Sequence, residues 1–449
     1  MSVLDRIDRI EGTWGITPVP ERLRVLSGLE TGLLWGNLGV SLLVIVAGAV
    51  LVPALSLPEA LVAIALGCLV GNLMLGAAGA IGAEARVPAM VLLRAPLGRR
   101  GSYLPTGANV LQALGWSTFE LLIIASAAAA LSEELLGVGA QWAWTLGFGA
   151  MALVLALLGP IGFVRRFVRR FALFVLPVAL VYLTWWTLAS ADVRTLWEMP
   201  GEGGLSLWQG VDVVVAITVS WTPYAADYTR FSKTRRGAFW GTGVGYLLPD
   251  VWMLALGVFL VLSHDLDDPA ELPAAVVAGG LAALLALVAL LVTETDEAFA
   301  NIYSAAVSLQ NLLPRARQPL LLALVATLAT IGAIVLDLGS YEGFLLLLGS
   351  FFVPLFAVLL ADWLAAGRSY PRERIFDAPA WRPGLLAAWL AGFCVYQWLS
   401  PTGPAWWREV VSSLDRPAWE IGSTLPSFAT AFALALVATH VGRWARGSA

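Results

Sequence analysis

The sequence predicts an all-α protein that crosses a membrane about twelve times. Its composition, the length of its apolar runs and the placement of its basic residues all point that way. Of 449 residues, 59% are hydrophobic and only 13% are charged. Soluble domains are close to half apolar and a quarter charged, so hydrocarbon is the natural surrounding for this chain.

A hydrocarbon core of about 30 Å is crossed by about 20 residues of helix. Runs of that kind fall at about 31–54, 58–82, 106–131, 140–160, 170–190, 208–229, 238–262, 274–312, 319–337, 342–364, 384–399 and 424–443. The eighth is too long for one upright span and is expected to tilt or to extend beyond the bilayer. The eleventh is the shortest.

The loops set the direction. Basic residues cluster before span 1 (Arg6, Arg9, Arg22, Arg24), after span 2 (Arg86, Arg94, Arg99, Arg100) and after span 4 (Arg165, Arg166, Arg169, Arg170). They recur after span 6 (Arg230, Lys233, Arg235, Arg236), after spans 8 and 10, and at the C-terminal end. In all, 24 of the 27 basic residues fall on one side, and only Arg194, Arg408 and Arg416 on the other. The positive-inside rule then predicts a multi-pass protein of the cell membrane with both termini in the cytoplasm.

No loop is long enough for a soluble ligand-binding or nucleotide-binding domain, and no GxxxxGK[ST] phosphate loop occurs. A receptor or an ATP-driven pump is therefore disfavoured, and a transporter would have to run on an ion gradient. Trp406, Trp407 and Trp419, in the longest loop, read as interfacial anchors. The N-terminus carries Asp5, Arg6, Asp8, Arg9 and Glu11 rather than a secretory signal. Cys68 and Cys394 read as small packed residues, and His264 and His440 sit at helix ends, so neither a metal centre nor a disulfide is expected. A net charge of −4 with scattered basic residues suggests no nucleic-acid partner. The expected partners are the lipid bilayer and a small molecule, with no cofactor and a monomeric state.

Two spans carry breaks. Gly36, Asn37 and Gly39 interrupt span 1, and Ser220, Trp221, Thr222 and Pro223 interrupt span 6. A proline inside a helix removes a hydrogen bond and clashes with the preceding turn. Irregular backbone at membrane depth survives only where protein or a water-filled cavity surrounds it. Spans 1 and 6 lie five apart and run in opposite directions. That is the signature of a five-plus-five inverted repeat with a binding site near the midplane. The expected organisation is a cytoplasmic segment 1–30, a first repeat 31–190, a second repeat 208–364 and two accessory helices within 384–443. The plainer alternatives are a glycine packing motif in span 1 and a simple kink in span 6.

The stretch LGWSTFELLI (114–123) adds a carboxylate, Glu120, to an apolar helix. Charges at that depth are costly and mark functional positions by default. A structural ion pair would need a mid-span base, and every basic residue falls in a loop or at a span end.

The segments SWTPYAADYTRFSK (220–233), MVLLRAPLGRRGSYLP (90–105), NVLQALGWSTFE (109–120) and FANIYSAAVSLQN (299–311), with the long run 33–72, resemble the nucleobase:cation symporter-1 family. These are permeases for cytosine, purines, allantoin, hydantoins and related rings. GWSTFE and DYTRF look most like the branch thought to carry hydroxymethylpyrimidine, a thiamin precursor. The resemblance implies a LeuT-type fold, alternating access and coupling to Na⁺ or H⁺.

It also implies roles. Trp116 on span 3 and Trp221 at the span 6 break would sandwich a flat ring, and Glu120, one turn after Trp116, would hydrogen-bond it. Asn37, Ser220 and Asn301 complete the expected substrate set. An ionised carboxylate only accepts hydrogen bonds, whereas a protonated one also donates, so Glu120 suits an aminopyrimidine such as hydroxymethylpyrimidine or cytosine. For the cation, the carbonyls of Gly36 and Gly39 and the side chains of Thr293, Asp296 and Glu297 on span 8 take the family's ligand positions. Asp296 and Glu297 stand where the family carries hydroxyl residues, which leaves Na⁺ and H⁺ both open. Asp227, Tyr228 and Arg230 read as a latch at the end of span 6, and Asp212 and Asp250 as further membrane-depth carboxylates. A membrane enzyme finds no support in any His cluster, Cys nucleophile or Ser/His pair. A passive channel fits the broken helices less well than an occluding site.

Overall fold

The computed structural model describes residues 15–163, 173–264, 281–336, 341–415 and 421–447. Among them there are helices and no β-strand, only one isolated bridge between Leu26 and Ser232. Each of the twelve expected segments overlaps helix in its described part. Span 1 is two helices, Gly28–Leu38 and Leu42–Ala49. Spans 2 to 5 are Leu57–Ala85, Tyr103–Leu136, Gln141–Phe163 and Leu173–Ser190. Span 6 is again two helices, Leu207–Ser220 and Thr222–Thr229. Spans 7 to 12 are Arg235–His264, Leu281–Leu312, Gln318–Val335, Tyr341–Ala365, Pro383–Leu399 and Thr424–Gly447. Among the described residues, seven helices are long and apolar enough to cross a bilayer alone, eight when the bent pair of span 1 is joined. Span 3 runs to 34 residues, about two turns beyond the sequence expectation. The start expected for span 8, 274–280, lies outside the described residues.

Local chemistry sets several starts. Ser27 with Glu30, Ser56 with Glu59 and Ser206 with Gln209 form capping boxes at the heads of spans 1, 2 and 6. Each satisfies two N–H groups that the first turn leaves unpaired. Span 3 ends on Gly137, whose left-handed φ of 68° suits glycine.

Packing then builds two seams of different character. Span 1 lies on span 7 with hardly any side chain between them. A Cβ on Gly28 would stand 3.2 Å from the Gly237 Cα, one on Gly36 3.2 Å from the Gly245 carbonyl, and one on Gly241 2.6 Å from the Gly28 carbonyl. The seam continues into the second half of span 1, where Gly48 meets the Leu254 carbonyl and Gly257 meets the Ile45 carbonyl. Span 2 uses glycines in the same way against span 6, through Gly67 on Val214, Gly71 on Thr218 and Gly82 on Ala226. Exchanging span 1 with 6 and span 2 with 7 maps the first contact onto the second, as an inverted repeat requires.

Span 3 meets span 8 through side chains. Asn109 donates to the Ser308 hydroxyl at 2.9 Å. Asn311 donates to Thr106 at 2.8 Å and to Ser102 at 3.1 Å. Arg94, buried and not loop-exposed, donates to Asn311 Oδ1 at 2.7 Å.

Candidate functional site

The break of span 1 falls later than the sequence expectation. Gly36 and Asn37 are still helical, and the chain leaves the helix at Gly39 to Ser41 before bending by 60°. Gly36 is there for contact with span 7, and Gly39 abuts the Pro249 ring, its Cβ position 2.6 Å from Cγ. The Val40 N–H bonds to Asn37 O, and Ser41 caps the next helix by accepting from the Leu43 N–H. The Gly36 and Gly39 carbonyls thus sit in the terminal turn, where intrahelical donors run out.

The break of span 6 is a single residue, Trp221, which keeps right-handed helical angles of φ −83° and ψ −15°. Pro223 has no N–H for the Val219 carbonyl, and the Thr222 hydroxyl donates to that carbonyl instead, at 2.7 Å. The Ser220 carbonyl is claimed from span 3 by Gln112 Nε2 at 2.9 Å. The Ser220 hydroxyl turns back onto Ile217 O at 2.6 Å.

That Gln112 bond fixes the geometry of the site. Gln112, Trp116 and Glu120 stand at i, i+4 and i+8, so they share one face of span 3. All three are buried, Glu120 completely. The face is therefore anchored against the span 6 break at one end, next to Trp221. Trp116 packs edge-on against Phe344 of span 10, with centroids 5.4 Å apart. Trp221 packs against Trp35 of span 1 at 5.9 Å, Tyr224 at 5.6 Å and Tyr246 of span 7 at 6.0 Å. The two indoles thus stand on span 3 and at the span 6 break, which the Gln112 bond joins, and each is braced by aromatic rings of other spans.

On span 8, Glu297 and Asn301 are buried one turn apart, and Asn301 Nδ2 donates to Glu297 O at 3.2 Å. Asn301 Oδ1 has no hydrogen-bond partner among the described residues. The side chains of Thr293 and Asp296 lie outside the described residues. Asn37 is placed elsewhere: it lines a groove of about 830 Å³ between spans 1, 5 and 7, walled by Leu33, Leu176, Leu180 and Val244. This groove is apolar and follows the glycine seam. It does not contain Trp116, Glu120 or Trp221.

Sequence reasoning missed the depth of the DYTRF latch. Arg230 is fully buried and donates to Gly15 O at 2.8 Å, to the Tyr303 hydroxyl at 3.0 Å and to Asp227 O at 3.2 Å. Asp227 accepts from the Ala89 N–H, and Tyr228 donates to Ala300 O. One turn of span 6 therefore ties the N-terminal segment, the loop between spans 2 and 3, and span 8. Asp212 is likewise structural in placement, accepting from the Ser423 and Thr424 N–H groups at the head of span 12.

Two opposed spans broken at membrane depth, with buried polar side chains converging on one break, define a multi-pass membrane transporter. A family model described as permease for cytosine/purines, uracil, thiamine, allantoin matches residues 18–374, and the chain belongs to that family. It is a transporter rather than an enzyme. A hydantoin permease of Microbacterium maritypicum is 24% identical over 360 residues, covering 75% of this chain and 72% of that protein. Among solved structures, a nucleobase-cation-symport-1 family transporter in a closed conformation with bromovinylhydantoin bound gives a TM-score of 0.79 at 20% identity, covering 97% of this chain and 96% of that one. A substrate-bound, outward-open Na⁺-coupled sialic acid symporter gives 0.65 at 10% identity, covering 98% and 95%. At these identities the likeness speaks to the fold, which is LeuT-type.

Proposed function

We propose that this permease imports hydroxymethylpyrimidine or a similar aminopyrimidine by cation-coupled alternating access. The observation that carries the reading is the face of span 3 that Gln112 fastens to the span 6 break. Trp116 and Trp221 are the stacking plates, which bind a heteroaromatic ring with little directional demand. Glu120 supplies the direction: protonated, it pairs with both the amine and the ring nitrogen of an aminopyrimidine; ionised, it takes the amine and pairs a protonated ring. Ser220 and Asn301 complete the polar set, and Asn37 contributes from the groove side of the break.

The coupling ion is Na⁺ or H⁺. Its proposed position lies between the Gly36 and Gly39 carbonyls and Thr293, Asp296 and Glu297 of span 8. Carbonyls at the end of a broken helix attract a cation because the helix dipole ends there. The reading keeps residues 1–30 and both termini in the cytoplasm of a cell-membrane monomer, with repeats 31–190 and 208–364 and accessory helices within 384–443. A second reading keeps the transporter and changes the ring to cytosine, a purine or another heterocycle.

Uptake of labelled hydroxymethylpyrimidine into proteoliposomes, with Na⁺ and pH gradients imposed separately, is the direct test. Gradient-dependent accumulation is expected, and a panel of competing rings separates the two substrate readings. Absence of uptake for every pyrimidine, purine and other heterocycle in the panel defeats both. Glu120→Gln is expected to weaken aminopyrimidine uptake at least tenfold, the loss of about 1.4 kcal/mol of recognition. Unchanged substrate preference and pH profile would leave Glu120 outside the site.

A further inference from the structure

Span 7 holds a carboxylate that the proposed cycle does not use. Asp250 follows Pro249, is fully buried, and lies 15 residues after Arg235 in a helix of 30. At 1.5 Å per residue that is about 22 Å along the helix, near its centre. One hydroxyl and one amide donor reach the carboxylate at the same oxygen, and the Cys68 thiol of span 2 adds a weak hydrogen bond. Thr218 of span 6 donates to Oδ2 at 2.8 Å, and Asn72 of span 2 donates to Oδ2 at 3.0 Å. Asp250 Oδ1 meets no oxygen or nitrogen donor among the described residues. Asn72 Oδ1 and the Thr242 hydroxyl are likewise without a partner among the described residues, and the Tyr246 hydroxyl lies within reach of the Trp221 side chain. Thr242, Tyr246 and Asp250 stand at i, i+4 and i+8, so their polar atoms form a file along one face of span 7.

The surroundings supply no compensating charge. Span 2 brings the Cys68 thiol beside the carboxylate. Span 6 brings only the Thr218 hydroxyl. Span 1 carries one ionisable side chain, Glu30, which is spent in its capping box. Span 5 carries Tyr182, packed on Trp185. On span 7 itself stands Tyr246, within electrostatic reach of Glu297 on span 8. Among the described residues no Lys, Arg or His pairs with Asp250. An ionised carboxylate buried at membrane depth with neutral donors and no counter-charge is strongly disfavoured. A proton on Oδ1 removes the charge and makes that bare oxygen a donor.

We propose that Asp250, held by Thr218 and Asn72, is a proton-binding site at the junction of spans 2, 6 and 7, distinct from the cation position at the span 1 break. The O–H bond forms with a proton from water on one face of the membrane and breaks to water on the other as the transporter turns over. This second clause rests on the transporter reading above; the site itself does not.

Two measurements separate them. Infrared difference spectroscopy of the purified protein reads the protonated carboxylic acid directly. A pH-dependent, deuterium-sensitive carbonyl band is expected in the wild type and is lost in Asp250→Asn, which is isosteric. Thr218→Val removes one donor from the ionised form and is expected to raise the band's midpoint by roughly one pH unit; it serves also if Asp250→Asn fails to fold. Spectra identical in all three proteins would overturn the site. In proteoliposomes, Asp250→Asn is expected to keep substrate exchange but lose uptake driven by a proton gradient, and Asp250→Glu to restore it. Full proton-driven uptake by Asp250→Asn would overturn the coupling role and leave the transporter reading intact. A wild type that moves no heterocycle would defeat the transporter reading while the infrared band still decides the site.

Discussion

The seam between spans 1 and 7 and the seam between spans 3 and 8 solve one problem in opposite ways. In lipid there is no hydrophobic drive to bring two apolar helices together, so close backbone packing or interhelical hydrogen bonds must do it. Spans 1 and 7 take the first route, with Gly28, Gly36, Gly241, Gly245 and Gly257 letting backbone touch backbone. Spans 3 and 8 take the second, through Asn109, Ser308, Asn311 and Arg94. The first seam tolerates almost no added volume; the second tolerates volume but not a missing partner. Spans 1, 2, 6 and 7 are joined to one another by glycine contacts, whereas span 6 meets spans 3 and 8 through a few hydrogen bonds from Gln112, Tyr228 and Arg230. Relative movement is easier across the second kind of contact, because hydrogen bonds can be exchanged while interlocked backbones cannot.

The largest expected effect comes from breaking the glycine seam. Gly257→Leu forces a side chain into the Ile45 carbonyl, and overpacking of this kind costs about 3 kcal/mol or more. Loss of monodisperse protein on size-exclusion chromatography is expected, and a wild-type profile would show the seam to be loose. Asn311→Ala attacks the other seam and leaves the buried Arg94 guanidinium without its side-chain acceptor. A loss of about 1–3 kcal/mol is expected, read as a lower melting temperature. If instead the melting temperature is unchanged, the hydrogen bonds do not hold spans 3 and 8 together. The smallest effect belongs to Glu21, outside both seams, which pairs with Arg24 at 3.0 Å and Arg86 at 3.1 Å. The hydrogen bond from Arg24 holds its carboxyl below the ordinary value, with the charges of Arg24 and Arg86 adding to it. Its stabilisation is thus present above the unfolded carboxyl range and fades as pH falls through the folded value. Glu21→Gln is expected to shift the melt barely, and only at pH above the unfolded carboxyl range; a shift as large as that of Asn311→Ala would show the N-terminal segment to be part of the core packing.

Much of the architecture was legible because span length is a local property of the chain. Pro223 marked the span 6 break for the same reason, since a missing N–H acts on its own helix. The span 1 break was placed early because Gly36 and Asn37 were read as backbone freedom, whereas Gly36 answers to Gly245, more than 200 residues away. The spacing of Gly28, Gly32 and Gly36 against Gly237, Gly241 and Gly245 is visible in the sequence, though which helix each stripe meets is not. Arg94 and Arg230 were counted with the loops because sequence shows charge and position along the chain, not the carbonyls and hydroxyls that receive them. Trp116 and Glu120 were readable as a pair on one face; that Gln112 fastens the same face to Ser220 was not, for the partners lie 108 residues apart.

The Thr222 hydroxyl that stands in for the missing N–H of Pro223 has a mechanical consequence. A proline normally leaves a helix with an open valence and a fixed kink. Here the vacancy is filled by a rotatable side chain, and Trp221 already holds near-helical angles. The joint can therefore flex by turning one hydroxyl rather than by unwinding a turn of backbone in lipid. The indole that rides on it can swing while the helix on either side stays intact.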